Sequence, residues 1–375
     1  MKRGSLAIVG AAESDLGAVG EGWSPIDLMA QGVQRALADC GLGLKDVDGI
    51  FAASTQSRMA GLALSEYLRR PDAYIDSTST GGNSFVTHLA KAQMAIEAGV
   101  CSVAVIAYGS TQRSSGGRKN AAVPERNPYE TPFRPFNPPT AYALAAARHM
   151  HEFGTTRQQL AEVAVAARQW ALMNPKAWEK KPLTVDEVLA SKMVSWPLTV
   201  RDCCLVTDGG GALVVTSAER AKSLKRPPVH LLGSGTCSTH AAISGMPDLT
   251  VTGAKVSGQR AFAAAGLAAK DVDVAMLYDA FTINTLLFLE DLGFCAKGEG
   301  GAFVSGGRIA PGGALPVNTS GGGLWCWHPG MYGLMLTIEA VRQLRGECGE
   351  RQVKGAKVAV AHGNGGVLSS QSTAV

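Results

Sequence analysis

Charge of one sign is what this 375-residue sequence has least of: 35 Lys and Arg stand against 31 Asp and Glu, a net +4 spread along the chain. That balance excludes a general polyanion-binding surface and makes nucleic acid a poor partner. Apolar runs approaching the roughly 20 residues of a membrane-crossing helix are also missing, so no membrane insertion is expected. The eight cysteines are scattered and form no CxxC pair, which argues for free thiols and against a structural zinc site made by this chain alone. Gly233-Ser234-Gly235 lacks the third glycine of a dinucleotide fingerprint, and Ser369 and Ser370 sit in no GxSxG elbow. Met1-Lys2-Arg3 before an apolar stretch has the outline of a secretion signal, but Glu13 and Asp15 interrupt it too early. A first strand and a cytoplasmic location are the expectation.

Hydrophobic residues make up 46% of the chain, enough for a large core arranged as two domains or two fused halves. Leu28, Met29, Val33, Ala36 and Leu37 recur at helical spacing. Residues 34–48 align without gaps on residues 259–273, with ten of fifteen positions identical. The echo continues in order: Ser79-Thr80-Gly81-Gly82 is answered by Thr319-Ser320-Gly321-Gly322, Ile96-Glu97-Ala98 by Ile338-Glu339-Ala340, and Val103-Ala104-Val105 by Val358-Ala359-Val360. This is an internal duplication of a helix, strand, glycine turn, helix, strand unit. It predicts an α/β fold of two tandem βαβαβ halves, residues 1–225 and 226–375, with mostly parallel stacked sheets. Val229-His230-Leu231-Leu232 is read as opening the second half. Helices over 83–98 and 331–344, apolar on nearly all sides, belong between the sheets. Residues 110–200 form an insertion of the first half, with helical stretches at 143–170 and 185–194. Its Arg113, Arg118, Lys119, Arg126 and Arg134 read as a solvated basic loop, with phosphate contacts as the alternative.

Asn318-Thr319-Ser320-Gly321-Gly322, His328-Pro329-Gly330 and His362-Gly363-Asn364-Gly365-Gly366 together resemble the thiolase superfamily over nearly the whole chain. Tyr278-Asp279-Ala280-Phe281 makes the sequence most similar to the sterol-carrier-protein-x and lipid-transfer-like branch. The resemblance implies a thiolase-like fold, a homodimer, and Claisen chemistry on coenzyme A thioesters, with no covalently bound cofactor and no metal ligands. By matching position, His328 activates the nucleophile and contributes to an oxyanion hole, and His362 is the acid/base. Ser79 stands at the position of the family's nucleophilic cysteine, while Thr78, Ser79 and Thr80 alternatively supply hydroxyls and a helix cap. Tyr278 is a further candidate for proton handling, and Asp279 for orienting a neighbour or capping a helix. Asn318, Gly322, Gly365 and Gly82 fall in the substrate-binding motifs, and Cys326 is the one thiol near the expected site. Serine ionises far less readily than a thiol, which leaves three readings open. The first is an acyl-CoA acyltransferase. The second is a retro-aldolase on β-hydroxyacyl-CoA esters, working with a small zinc-ribbon and OB-fold partner. The third is a non-catalytic lipid-binding or scaffold subunit.

Overall fold

The computed structural model describes residues 1–116 and 127–375; the basic side chains Arg118, Lys119 and Arg126 lie outside the described residues. The first half runs through β1 (Leu6–Glu13), α1 (Pro25–Cys40), β2 (Gly49–Ala52), α2 (Ala60–Tyr67), β3 (Tyr74–Asp76), α3 (Ser84–Glu97) and β4 (Val103–Ser110). The inserted region contributes α4 (Pro139–Phe153), α5 (Arg157–Leu172), α6 (Val185–Leu189) and a small hairpin of β5 (Met193–Ser195) and β6 (Leu198–Thr199). The chain returns through β7 (Gly209–Ser217), α7 (Ala218–Ala221) and β8 (Val229–His230). The second half then places β9 (Ser234–Ser238), α8 (Ala254–Ala265), β10 (Val274–Leu277), α9 (Thr282–Asp291) and α10 (Gly300–Val304). It closes with α11 (Gly322–Trp325), α12 (Gly333–Arg345), β11 (Ala359–Gly365) and β12 (Ser370–Ala374).

Local chemistry starts and stops these elements. The Ser24 hydroxyl accepts from the Asp27 N–H (3.2 Å) while the Asp27 carboxylate accepts from the Ser24 N–H (2.8 Å), with Pro25 in the first turn. This reciprocal cap fixes the start of α1. The duplication is visible in matching joints. Both α1 and α8 end on a left-handed glycine, Gly41 (φ 77°) and Gly266 (φ 63°). Asp46 accepts the Gly43 N–H (2.9 Å) just as Asp271 accepts the Ala268 N–H (2.8 Å). Asp48 receives the N–H groups of Ser102 and Val103, and Asp273 those of Lys357 and Val358.

The sheets are mixed, which corrects the expectation of mostly parallel pairing. In the first, ordered β3-β2-β4-β7-β1-β8, the β3-β2-β4 ladders are parallel and the rest antiparallel. In the second, ordered β10-β11-β12-β9, β10 and β11 alone run parallel. The physical cause is connection length: the short turn joining β11 to β12 can only reverse the chain, whereas a parallel neighbour needs a crossover helix. Val229-His230 pairs with β1 at the rim of the first sheet and does not open the second.

Helices α3 and α12 fill the layer between the sheets. Phe85, Val86, Leu89 and Ala92 of α3 and Leu334, Leu336 and Ile338 of α12 share one core with strand residues of both sheets. A second core lies on the outer face of the first sheet, where Met29, Val33 and Leu37 of α1 meet Val9, Val105 and Val214. The N-termini of the two central helices touch, the Gly333 N–H donating to the Gly82 carbonyl (2.9 Å). No described helix is long and apolar enough to cross a membrane.

Candidate functional site

That helix-to-helix contact lies beside the C-terminal ends of β10 and β11, where parallel strands and their crossovers leave a crevice. Tyr278 follows β10, and its backbone N–H is held by the His362 carbonyl (3.1 Å). The Tyr278 side chain reaches the start of α12: its hydroxyl donates to the Gly330 carbonyl (3.3 Å) and accepts from the Tyr332 N–H (3.1 Å). A Cβ at Gly82 would collide with that hydroxyl and its ring, so the glycine is required for the approach of α3. Gly82→Ala is expected to destabilise by about 1–3 kcal/mol through overpacking, read as a lower denaturant midpoint; an unchanged midpoint would contradict this close approach.

His328, Tyr278 and Tyr332 form one aromatic cluster. Tyr332 stacks on the imidazole with ring centroids 5.7 Å apart at 26°, and Tyr278 stands edge-on to both at 5.6 Å. Thr207 anchors the His328 backbone, accepting its N–H (3.0 Å). His328 is 7% exposed, and among the described residues its Nε2 has no hydrogen-bond partner. Burial pushes its pKa down to about 4, so near neutral pH the ring is uncharged. Burial likewise drives both tyrosine hydroxyls well above their usual range, which keeps them protonated.

Asp279 and Tyr332 carry more of the site than the sequence indicated. The buried Asp279 carboxylate accepts from the backbone N–H groups of Gly323 (2.7 Å) and Leu324 (3.4 Å) at the start of α11. Burial raises its pKa to about 7, against the pull of those N–H donors. Gly322 is backed directly onto this carboxylate, with no room for a Cβ, and a Cβ at Gly323 would stand 2.9 Å from the His328 ring. Tyr332 escaped notice because a tyrosine ahead of a buried helix reads as core. The available signal was its position two residues after His328-Pro329-Gly330.

The remaining candidates are placed differently. His362 is fully buried on the other face of β11, its Nδ1 paired with the Thr373 hydroxyl (2.9 Å) and its Nε2 with Gln371 Oε1 (3.0 Å). Its ring packs on Phe288 at 4.5 Å, and burial holds its pKa down to about 3. Alternation along the strand explains this: Gly363 and Gly365 face α3, so His362 and Asn364 face α9 and α4. Both imidazole nitrogens are already occupied, so the acid/base role expected of His362 has no free atom here. Ser79 is exposed just ahead of α3, and among the described residues no hydrogen bond joins it to either histidine. The Thr80 carbonyl and the Asn83 side chain are the groups that press against Gly365. Asn318, at φ 53°, uses its side-chain oxygen to accept the Leu277 N–H (2.7 Å), a joint between β10 and the glycine turn. Cys326 is fully buried and accepts from Asn174 Nδ2 (3.2 Å); burial pushes its thiol pKa well up, so no thiolate is available there. Of the basic loop, Arg113 lies over the Trp178 ring at 4.7 Å and donates to the Val206 carbonyl (3.0 Å). Among the described residues no three His, Cys, Asp or Glu side chains converge as metal ligands.

Comparison with known proteins agrees with this architecture. Residues 235–375 match the family model described as thiolase C-terminal domain-like. The chain is 36% identical to the 17-hydroxy-3-oxo-4-pregnene-20-carboxyl-CoA lyase of Mycobacterium tuberculosis, over 92% of this chain and 93% of that one. It is 30% identical to sterol carrier protein 2 of Rattus norvegicus, over 90% of this chain and 65% of that protein. Among solved structures, the Ltp2-ChsH2(DUF35) aldolase superposes with a TM-score of 0.89 at 31% identity, covering 100% of this chain and 98% of its counterpart. Duplicated halves, two central helices meeting at glycines, and relatives matched nearly end to end place this enzyme in the thiolase superfamily, within its sterol-carrier-protein branch.

Proposed function

We propose that the chain cleaves the carbon–carbon bond of a β-hydroxyacyl-CoA by a retro-aldol reaction. The observation that carries this reading is the His328 imidazole: buried, neutral, with Nε2 unpartnered among the described residues, and bracketed by two protonated tyrosines. Retro-aldol cleavage needs a base for the β-hydroxyl proton and donors for the developing enolate oxygen, and it needs no acyl-enzyme. His328 Nε2 takes the hydroxyl proton, the C–O bond becomes a carbonyl, and the Cα–Cβ pair moves into the thioester as an enolate. The Tyr332 hydroxyl donates to that enolate oxygen, and the proton held by His328 returns to Cα. The products are a ketone or aldehyde and a shorter acyl-CoA. Asp279 holds the Gly323 and Leu324 N–H groups that shape the pocket wall.

Acyl transfer through an acyl-enzyme draws less support, because burial keeps the Cys326 thiol protonated and, among the described residues, no imidazole is hydrogen-bonded to Ser79. The names of the matched CoA lyase and of the solved Ltp2-ChsH2(DUF35) aldolase favour the same choice. The second of these pairs its aldolase with a ChsH2(DUF35) component, which supports a partner protein joining this chain; the zinc-ribbon and OB-fold kind is what the family resemblance implies. A homodimer is supported by β3 lying at the rim of the first sheet, beside Met59, Leu62 and Tyr67, which are 50–61% exposed.

The test is incubation of the chain, alone and with its candidate partner, with a β-hydroxyacyl-CoA. The expected result is stoichiometric ketone or aldehyde and shortened acyl-CoA, with no mass added to the protein. A covalent acyl adduct on Ser79 or Cys326, with free CoA released, would overturn the retro-aldol reading.

A further inference from the structure

One polar side chain beside His328-Pro329-Gly330, that of Gln112, has no part in the reaction proposed above. β4 ends at Ser110, which pairs with Gly209 at the start of β7, so the turn after β4 and the segment before β7 leave the first sheet side by side. That segment supports both the turn and the histidine loop. Thr207 accepts the His328 N–H (3.0 Å) and donates its own N–H to the His328 carbonyl (3.3 Å). The next residue, the fully buried Asp208, accepts the N–H groups of Arg113 (2.8 Å) and Ser114 (3.0 Å) and the Ser114 hydroxyl (2.5 Å). From the other side, Gln56 Oε1 accepts the Thr111 N–H (3.0 Å), and Gln56 Nε2 donates to the Ser115 hydroxyl (3.2 Å). The residues flanking Gln112 are therefore fixed to the frame that fixes His328.

Gln112 reaches from this turn onto the histidine loop. Its Oε1 lies against Gly330, in the place a Cβ would need, and φ 96° at that residue already calls for glycine. Gly330 is shared between two side chains, because its carbonyl accepts from the Tyr278 hydroxyl (3.3 Å). The Tyr108 hydroxyl steadies the same loop, donating to the Pro329 carbonyl and accepting the Met331 N–H (3.0 Å). With the Gln112 oxygen against the Gly330 C–H, the amide NH2 is left for another partner. Among the described residues no group accepts from it, and the side chain is only partly buried, so it opens on space that a ligand can enter. A turn pinned on both sides around an unpaired amide is the arrangement of a residue presented to a ligand.

Retro-aldol cleavage places negative charge on the thioester oxygen, which accepts more hydrogen bonds than the Tyr332 hydroxyl alone supplies. An uncharged amide suits the second donor. Its bond to the neutral thioester is modest and strengthens as the oxygen becomes an enolate, which is the differential binding that accelerates the step.

We propose that Gln112 is a further catalytic residue of this site, its Nε2 donating to the thioester oxygen of the acyl-CoA as the enolate forms. The assignment rests on the retro-aldol reading for the step it serves, and a binding measurement tests the contact separately. Gln112→Leu keeps the bulk over Gly330 and removes the donors; Gln112→Glu keeps an oxygen there and sets a negative charge against the enolate. With the candidate partner present, each is expected to lower kcat for a β-hydroxyacyl-CoA by roughly 10²-fold. KM is expected to change by less than about threefold, because the contact tightens only in the transition state. The urea midpoint of each variant is expected to match that of the parent. The second probe is carboxymethyl-CoA, an unreactive analogue with an anionic oxygen close to the sulfur. In isothermal titration Gln112→Leu is expected to bind it about tenfold more weakly, the worth of a hydrogen bond to a charged group, and to bind propionyl-CoA as the parent does. Unchanged kcat, unchanged affinity for carboxymethyl-CoA, or a loss of activity that follows a lowered midpoint overturns the assignment. A parent that cleaves no β-hydroxyacyl-CoA, yet loses carboxymethyl-CoA affinity on Gln112→Leu, retires the reaction reading and keeps the contact. A parent that cleaves the ester as fast as its Gln112 variants do retires the Gln112 assignment alone.

Discussion

His328→Phe is expected to lower turnover of a β-hydroxyacyl-CoA by roughly 10²–10⁴-fold, the usual worth of a positioned general base, while leaving the fold at least as stable. The two halves of this expectation have separate causes. Phenylalanine keeps a ring between Tyr278 and Tyr332, whose centroids lie 5.6 and 5.7 Å from that of the imidazole, so the aromatic packing is retained. The atom removed, Nε2, makes no hydrogen bond to the described residues, and a buried polar atom without a partner costs about 1–3 kcal/mol. Stability is therefore unchanged or slightly raised, as read from denaturant midpoints. A structural histidine would behave oppositely, losing stability and activity together. The decisive comparison is kcat against the unfolding midpoint on the same protein. Full activity in His328→Phe would remove this residue from the mechanism and shift attention to the Asp279 carboxyl on the far side of Gly323.

The sequence made the frame of this site legible but not its inner arrangement. Repeated Asp-Val-Asp turns and paired glycines, at Gly81 with Gly82 and at Gly321 with Gly322, marked a repeated unit because each copy solves the same local problem of capping and close approach. Residues were assigned to the site by motif position, and motif position does not fix the face of a strand. His362 lies in a glycine-rich motif, yet one step of alternation turns its ring toward Phe288, Gln371 and Thr373. Tyr332 carried no motif of its own and entered only when the N-termini of α3 and α12 were seen to meet. The antiparallel return of β12 was hidden for a related reason: the matched sequence segments end at β4 and β11, so β12 and its counterpart β7, each antiparallel to the strand beside it, leave no echo in the sequence.

Acidification from pH 7 to 4 is expected to destabilise the chain steeply, and buried histidines are the main cause. Burial pushes the pKa of His88 and His328 down to about 4 and that of His362 down to about 3. In the unfolded chain these rings protonate near 6.5. Between those values the unfolded state binds more protons than the native one, so stability is complete above pH 6.5 and is lost as the pH falls toward 4. Each displacement is worth roughly 3–5 kcal/mol at full titration, on the order of 10 for the three. Asp279 acts with the opposite sign. Its folded pKa is raised to about 7, so the native state takes up its proton first, and acidification returns roughly 4 kcal/mol over the same window. The net loss, roughly 6 kcal/mol, is comparable to the whole stability of many domains. Denaturant midpoints measured from pH 8 to pH 4 are expected to be flat above 7 and to fall below 6.5. His88 tests the assignment away from the reaction site, since its Nε2 pairs only with the Thr78 carbonyl (2.9 Å) and its Nδ1 has no partner among the described residues. His88→Gln is expected to remove about a third of the histidine-linked loss and to leave the alkaline plateau within about 2 kcal/mol of the parent. A stability profile that rises on acidification, or one that His88→Gln does not flatten, would show that the buried imidazoles are not what limits the chain at low pH.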